Sequence, residues 1–194
     1  DVVDNSLREL EYQGLVAEMI GAEVINIHGG GAFGDKSAAL ERLRRGFDRL
    51  SDKVRGRLTL ENDDVTYTVK DLYPAACALG IPLVYDVHHH RCLPDGLSVE
   101  EATSLAVESW GRVGREPYFH ISSPIQGWDG KNPRRHADYI DAADFPQSWM
   151  KLTATIDVEA KAKELAVLKL MRDLGFAPQE APSRHSSARE SNTL

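Results

Sequence analysis

Apolar residues recur first at helical spacing, then in short strand-length bursts, and this alternation repeats along the chain. Leu7, Leu10, Leu15, Val16 and Met19 mark one face of an opening helix that Gly21 stops. Val24 to Ile27 reads as a strand ending at His28, broken by Gly29-Gly30-Gly31. A helix from about Asp35 to Leu50 carries Leu40, Leu43, Phe47 and Leu50 on one side, and Leu58-Thr59-Leu60 is a second strand ending at Glu61. The next helix runs from Val69 to Leu79 and stops at Gly80. It is followed by the strand Leu83-Val84-Tyr85, ending at Asp86. Ser98 and Glu101 form a capping box ahead of a helix over Ala102–Trp110. Tyr118 to Ile121 is the fourth strand, a fifth lies within Trp149–Ile156, and Glu159 to Leu174 reads as the closing helix.

Strands separated by helices, with no hairpin turns, imply right-handed crossovers and a parallel sheet. Two α/β architectures fit this pattern: an open doubly wound sheet, or a (β/α)8 TIM-type barrel present here as a partial barrel of about five strands. Residues 1–176 make up that domain. Residues 177–194, rich in Ser, Pro, Glu and Arg, are expected to form a mobile tail.

Composition narrows the class. The chain has 194 residues, 42% hydrophobic and 27% charged, with a formal net charge of −7. That suits one globular domain. No apolar run is long enough for a membrane span, and no protein partner is called for. Two cysteines, Cys77 and Cys92, fit a reducing, cytoplasmic setting rather than a disulfide framework. Net acidity argues weakly against a nucleic-acid partner, but bound divalent metal would invert the local sign.

The chemistry lies at the strand ends. His28, Glu61, Asp86 and His120 each stand at or next to the C-terminal end of a different predicted strand. In a parallel barrel those ends converge on the face where active sites are built. All are metal-ligand types, and His89 adds another from the Asp86 strand end. On a strand-like backbone, His88, His89 and His90 cannot all face inward, so one or two should support the ligands or face solvent. Cys92 reads as packing material. The glycine run after His28 matches neither a dinucleotide nor a P-loop fingerprint. It allows close backbone approach to a ligand, or simply a wide turn.

The loop after the fourth strand carries Trp128, Lys131, Arg134 and Arg135, which suit phosphates and an unstacked base. A solvated loop around a packed tryptophan is the alternative. His136 is expected to open a short helix. The charge run Glu159 to Glu164 is mostly a solvated helix face, with Glu159 the exception because it lies nearest a strand end.

In order, the segments INIHGGG, LTLEND, YDVHHH, FHISSP, RRHADYID and DVEAKAKE resemble the UV damage endonucleases, over roughly Asn5 to Leu174. The resemblance implies a (β/α)8 barrel holding a divalent metal cluster, usually manganese, that nicks double-stranded DNA immediately 5′ to UV photoproducts. It implies related action on abasic sites. The implied metal ligands are His28, Glu61, Asp86, His89, His120, His136 and Glu159, with Glu61 and Glu159 as the catalytic candidates. Lys131, Arg134, Arg135 and Trp128 are the DNA-contact candidates. One position departs. Where some members carry a lysine that is carboxylated into a further ligand, this chain has Tyr118, and a phenol cannot form a lysine carbamate.

An abasic-site endonuclease, a sugar isomerase and a non-catalytic damaged-DNA-binding fragment are the competing readings. A full barrel needs about 250 residues, so about three βα units are expected to be missing. On that expectation the chain binds metal but incises poorly.

Overall fold

The computed structural model describes residues 2–176, and the expected tail over 177–194 lies outside the described residues. The elements follow in the order α1 (Val2–Ile20), β1 (Ile25–His28), α2 (Lys36–Phe47), α3 (Asp52–Arg55), β2 (Leu58–Glu61), α4 (Val69–Leu79) and β3 (Leu83–Asp86). Then come α5 (Val87–Cys92), α6 (Val99–Arg112), β4 (Tyr118–Ile121), two short 3-10 turns, β5 (Thr155–Val158) and α7 (Glu164–Asp173).

The strands form one five-stranded sheet in the order β1-β2-β3-β4-β5, and every pairing is parallel. Sequential order with helical crossovers is the layout of a (β/α)8 barrel, here partial. Strand alternation sorts the side chains. Leu58, Leu60, Leu83, Tyr85, Phe119 and Ile121 enter the core under the helices, where Trp149 stacks on Phe119 and meets Tyr85 edge-on. The opposite, concave face carries Asn26, Val84, Tyr118, His120 and Asp157.

The helix starts are locally encoded. Thr68 with Asp71, and Ser98 with Glu101, form complete capping boxes on α4 and α6. Each such cap is worth about 1 kcal/mol. Gly80 ends α4 in the left-handed region, as expected of a glycine just past a helix.

Three local expectations are corrected. His88, His89 and His90 lie on α5, not on strand-like backbone, because the Asp86 carboxylate accepts from the His89 N–H and turns the chain into a helix directly after β3. All three imidazoles are buried, so none faces solvent. Glu159 does not begin the last helix: its N–H donates to the Ile121 carbonyl, which keeps it beside β4, and α7 starts only at Glu164. His136 opens no helix but forms an isolated antiparallel bridge with Pro124.

Candidate metal centre

The ends of β1 to β4 and the turn after β5 bring ligand-type side chains to one place. The register sets His28 beside Glu61, and Asp86 beside His120. Ligand atoms of Glu61, Asp86, His120 and Glu159 all lie within 4.8 Å of one another, and His28, Glu61 and His89 form an adjoining group that shares Glu61. These groups could hold a metal ion.

Glu61 is the hub. Its Oε1 lies 3.3 Å from His89 Nδ1 and 3.2 Å from His120 Nδ1, and its Oε2 lies 3.4 Å from His28 Nε2. Glu159 Oε1 is 3.2 Å from His120 Nδ1, and Glu159 Oε2 is 3.6 Å from His136 Nδ1. His136 reaches the centre because the loop after β4 is tied down: the Ala137 N–H donates to the Ser123 carbonyl, and the Lys161 N–H to the Ala137 carbonyl.

Despite these short separations, Glu61 Oε1, Asp86 Oδ2 and His120 Nδ1 are buried without a hydrogen-bond partner. The atoms approach one another without the alignment a hydrogen bond requires. An unsatisfied buried polar group costs about 1–3 kcal/mol. Several at one point would consume much of the ~5–15 kcal/mol that holds a domain folded. A cation between them satisfies all of these lone pairs at once, and carboxylates with imidazoles are the donor set that a divalent ion accepts.

The charges agree. Burial alone would lower the His120 pKa, but the Glu159 and Glu61 carboxylates raise it to about 10. His89 behaves alike: burial opposes its protonation, yet Glu61 and Asp86 raise its pKa to about 9. For Glu61, burial pushes upward and His120, His28 and His89 pull it well below the usual carboxylate range. Burial raises Asp86. Negative charge is thus concentrated where only protons offset it, and a metal would replace those protons.

Two supporting residues lie in the segments that carry the resemblance, but spacing along the strands does not mark them as part of the site. The Asn62 amide donates to the Asp86 carbonyl (2.9 Å) and accepts from the Asp86 N–H (3.0 Å), which locks the end of β2 to the end of β3. The Asn62 backbone carbonyl accepts from His89 Nδ1–H at 2.9 Å, which fixes the orientation of that ring. Asp157 Oδ2 lies 3.5 Å from His120 Nε2 and orients that ring from β5.

The other predicted residues fall outside the cluster. Tyr118 stacks on Trp110, with ring centroids 5.3 Å apart. Trp128 is pinned, its Nε1–H donating to Asp144 at 2.7 Å while its ring lies against His88 and under the Arg91 guanidinium. Lys131, Arg134 and Arg135 are exposed on the same loop, and Arg134 lies 3.5 Å from Asp64.

Comparison with known proteins gives one consistent family. The sequence model described as UV-endonuclease UvdE matches residues 1–184. The chain is 35% identical over 183 residues to the UV DNA damage endonuclease of Bacillus velezensis, covering 90% of this chain and 56% of that protein. It is 37% identical over 185 residues to the UV-damage endonuclease of Schizosaccharomyces pombe, covering 88% of this chain and 30% of that protein. The crystal structure of SacUVDE superposes with a TM-score of 0.79 at 30% identity, over 91% of this chain and 61% of that one. The chain therefore spans little more than half the length of the bacterial relative it matches.

Proposed function

The chain belongs to the UV-endonuclease UvdE family, and from that premise we propose that it is the metal-holding part of a DNA repair endonuclease. The substrate is double-stranded DNA carrying UV lesions, and the bond hydrolysed is the phosphodiester 5′ to the photoproduct. The observation that carries this reading is the convergence of unpartnered buried atoms of Glu61, Asp86 and His120 beside Glu159.

His28, Glu61, Asp86, His89, His120, His136 and Glu159 would hold a divalent cluster, with manganese the ion the family resemblance implies. Such ions neutralise the phosphodiester and lower the pKa of a water at the site. The remaining work falls to the chain. Glu61 faces three imidazoles and fixes their relative positions, while Glu159 joins His120 to His136. The half-exposed His28 side chain marks the side from which a phosphate would enter. Lys131, Arg134 and Arg135 would carry the DNA backbone. Damaged bases stack poorly and cost less to extrude, so shape rather than sequence would select the lesion.

The test pairs metal content with incision. E61Q and E159Q keep side-chain size and remove charge; each should cut divalent metal bound by this chain by about 100-fold or more, and, in a full-length relative, the matching changes should cut nicking of UV-irradiated supercoiled plasmid as far. Elemental analysis finding no divalent metal in wild-type protein that still nicks irradiated DNA would overturn the reading.

A further inference from the structure

We propose that Phe33, backed by Arg42, is a second DNA contact of this protein, taking an unstacked nucleobase on its ring and the adjoining phosphate on the guanidinium. The inference rests on the nuclease reading above and assigns it a surface on the β1 side of the metal centre, opposite the loop after β4.

Phe33 is the most exposed large apolar side chain among the described residues, at 90%. Its backbone also lies in the left-handed region, with φ of 50°. For a bulky residue that conformation is an outlier that costs of order 1–3 kcal/mol. A phenylalanine that gains no burial and carries backbone strain contributes nothing to folding here. Flanking residues hold it in place. Gly34 follows at φ of 84°, and a Cβ on Gly31 would stand 3.2 Å from the Phe33 ring.

The ring has one charged companion. The Arg42 guanidinium, projecting from α2, lies 6.0 Å from its centroid. Arg42 is exposed and has no carboxylate partner among the described residues. The same pairing recurs on the far side of the centre, where Arg91 lies 5.6 Å from the Trp128 ring. There Asp144 accepts from Trp128 and lies 3.6 Å from Arg91, so that pair is already neutralised. The Arg42–Phe33 pair keeps both its open ring face and its charge.

Position gives the partner. Phe33 follows His28 by so short a stretch that its backbone lies within about 18 Å of that residue, at the edge of the centre, even if fully extended. That corresponds to about five nucleotide steps at ~3.4 Å each along one strand. An aromatic face beside an uncompensated cation is the combination that unstacked bases and their phosphates bind.

The test uses the 194-residue chain and fluorescein-labelled 20-base-pair duplexes carrying a central abasic site, with 2-aminopurine placed at successive positions around it. Wild type should bind and quench 2-aminopurine at one or two positions. F33A and F33G should lose that quenching and bind about 5- to 100-fold more weakly, whereas F33Y and F33W retain both. F33G should melt no lower than wild type, because glycine accepts the positive φ. A merely structural role would predict the reverse. R42A should weaken binding and lower the salt slope by about one. Wild-type binding with F33A unchanged in affinity and quenching overturns this inference and leaves the nuclease reading standing. Wild type that binds neither these duplexes nor UV-irradiated duplex overturns both.

Discussion

Asn26 donates its side-chain amide to Oε2 of Glu61, two residues before His28 on the same face of β1. The amide cannot flip freely, because Thr59 Oγ1 donates to Asn26 Oδ1 at 2.8 Å. This chain of contacts holds one Glu61 oxygen and leaves the other, Oε1, turned toward His89 and His120. N26A should therefore weaken manganese binding by about 10- to 100-fold, the usual effect of removing a group that orients a ligand. T59V should weaken it in the same direction and T59S should not. Titration calorimetry with manganese checks this, and equal affinity in N26A and wild type would show that Glu61 needs no such support.

Metal binding should release protons. Without metal, His89 and His120 titrate near about 9 and about 10, above the ordinary histidine value. A raised folded-state pKa stabilises the metal-free fold fully below about 6.5 and loses that contribution as pH rises through about 9–10. Imidazoles must be neutral to coordinate, so near pH 7.5 about two protons should leave as metal enters, and affinity should climb with pH. Calorimetry in buffers of different ionisation enthalpy measures that number directly. Release of none between pH 7 and 8 would show that these histidines do not meet the metal.

The convergence of ligand-type residues at the candidate site was legible because strand alternation and parallel topology each leave a mark in sequence. His28, Glu61, Asp86 and His120 stand one per strand end, and a parallel sheet has no other way to arrange those ends than on one face. Long-range ties leave no such mark. Asn62 bridging β2 to β3 is only an amide after a glutamate in the sequence, and Asn26 only a polar residue inside a short strand. The helix at His88–His90 leaves little trace in sequence, because Asp86 is both a ligand type and the cap of α5 and only the first role shows in its position at a strand end. Glu159 is marked by its nearness to a strand end and His136 only by the resemblance, and the approach of both depends on backbone contacts to Ile121 and Ser123 that no local pattern announces. Trp128 shows another limit: an aromatic residue in a cationic loop suits DNA, but only the structure shows that its indole N–H is held by Asp144 while its ring stays partly exposed.

The cations of the same loop give a separate test of its proposed DNA contact. Arg135 and Lys131 are exposed, while Arg134 shares its charge with Asp64 across 3.5 Å. Replacing Arg134 and Arg135 together by alanine should weaken damaged and undamaged duplex alike, and reduce the salt slope by about two. D64N should strengthen both slightly by freeing Arg134. Anisotropy titrations from low to physiological salt read these changes. An unaltered slope in the double variant would remove the loop from the DNA path.

The two ends of the sheet give the last prediction. β1 pairs only with β2, and β5 only with β4, so each presents one side of its backbone unpaired among the described residues. In β1 the Ile25 N–H turns inward to the Arg57 carbonyl next to β2. Strand alternation therefore sends the N–H of Asn26 outward. Unpaired edges of this kind recruit other strands, and the concave face beside β1, lined by Val24, Val84 and Tyr118, is open as well. The 194-residue chain alone should therefore self-associate at micromolar concentration. A charge pointing into that face at the start of the edge strand is a device natural sheets use against pairing. V24K should thus shift the chain toward monomer while leaving manganese binding unchanged, since Val24 lies outside the ligand cluster. Light scattering coupled to size exclusion decides between the outcomes. A wild-type chain eluting as a single species of 21.5 kDa would show that the edges of β1 and β5 are protected in a way their pairing does not reveal.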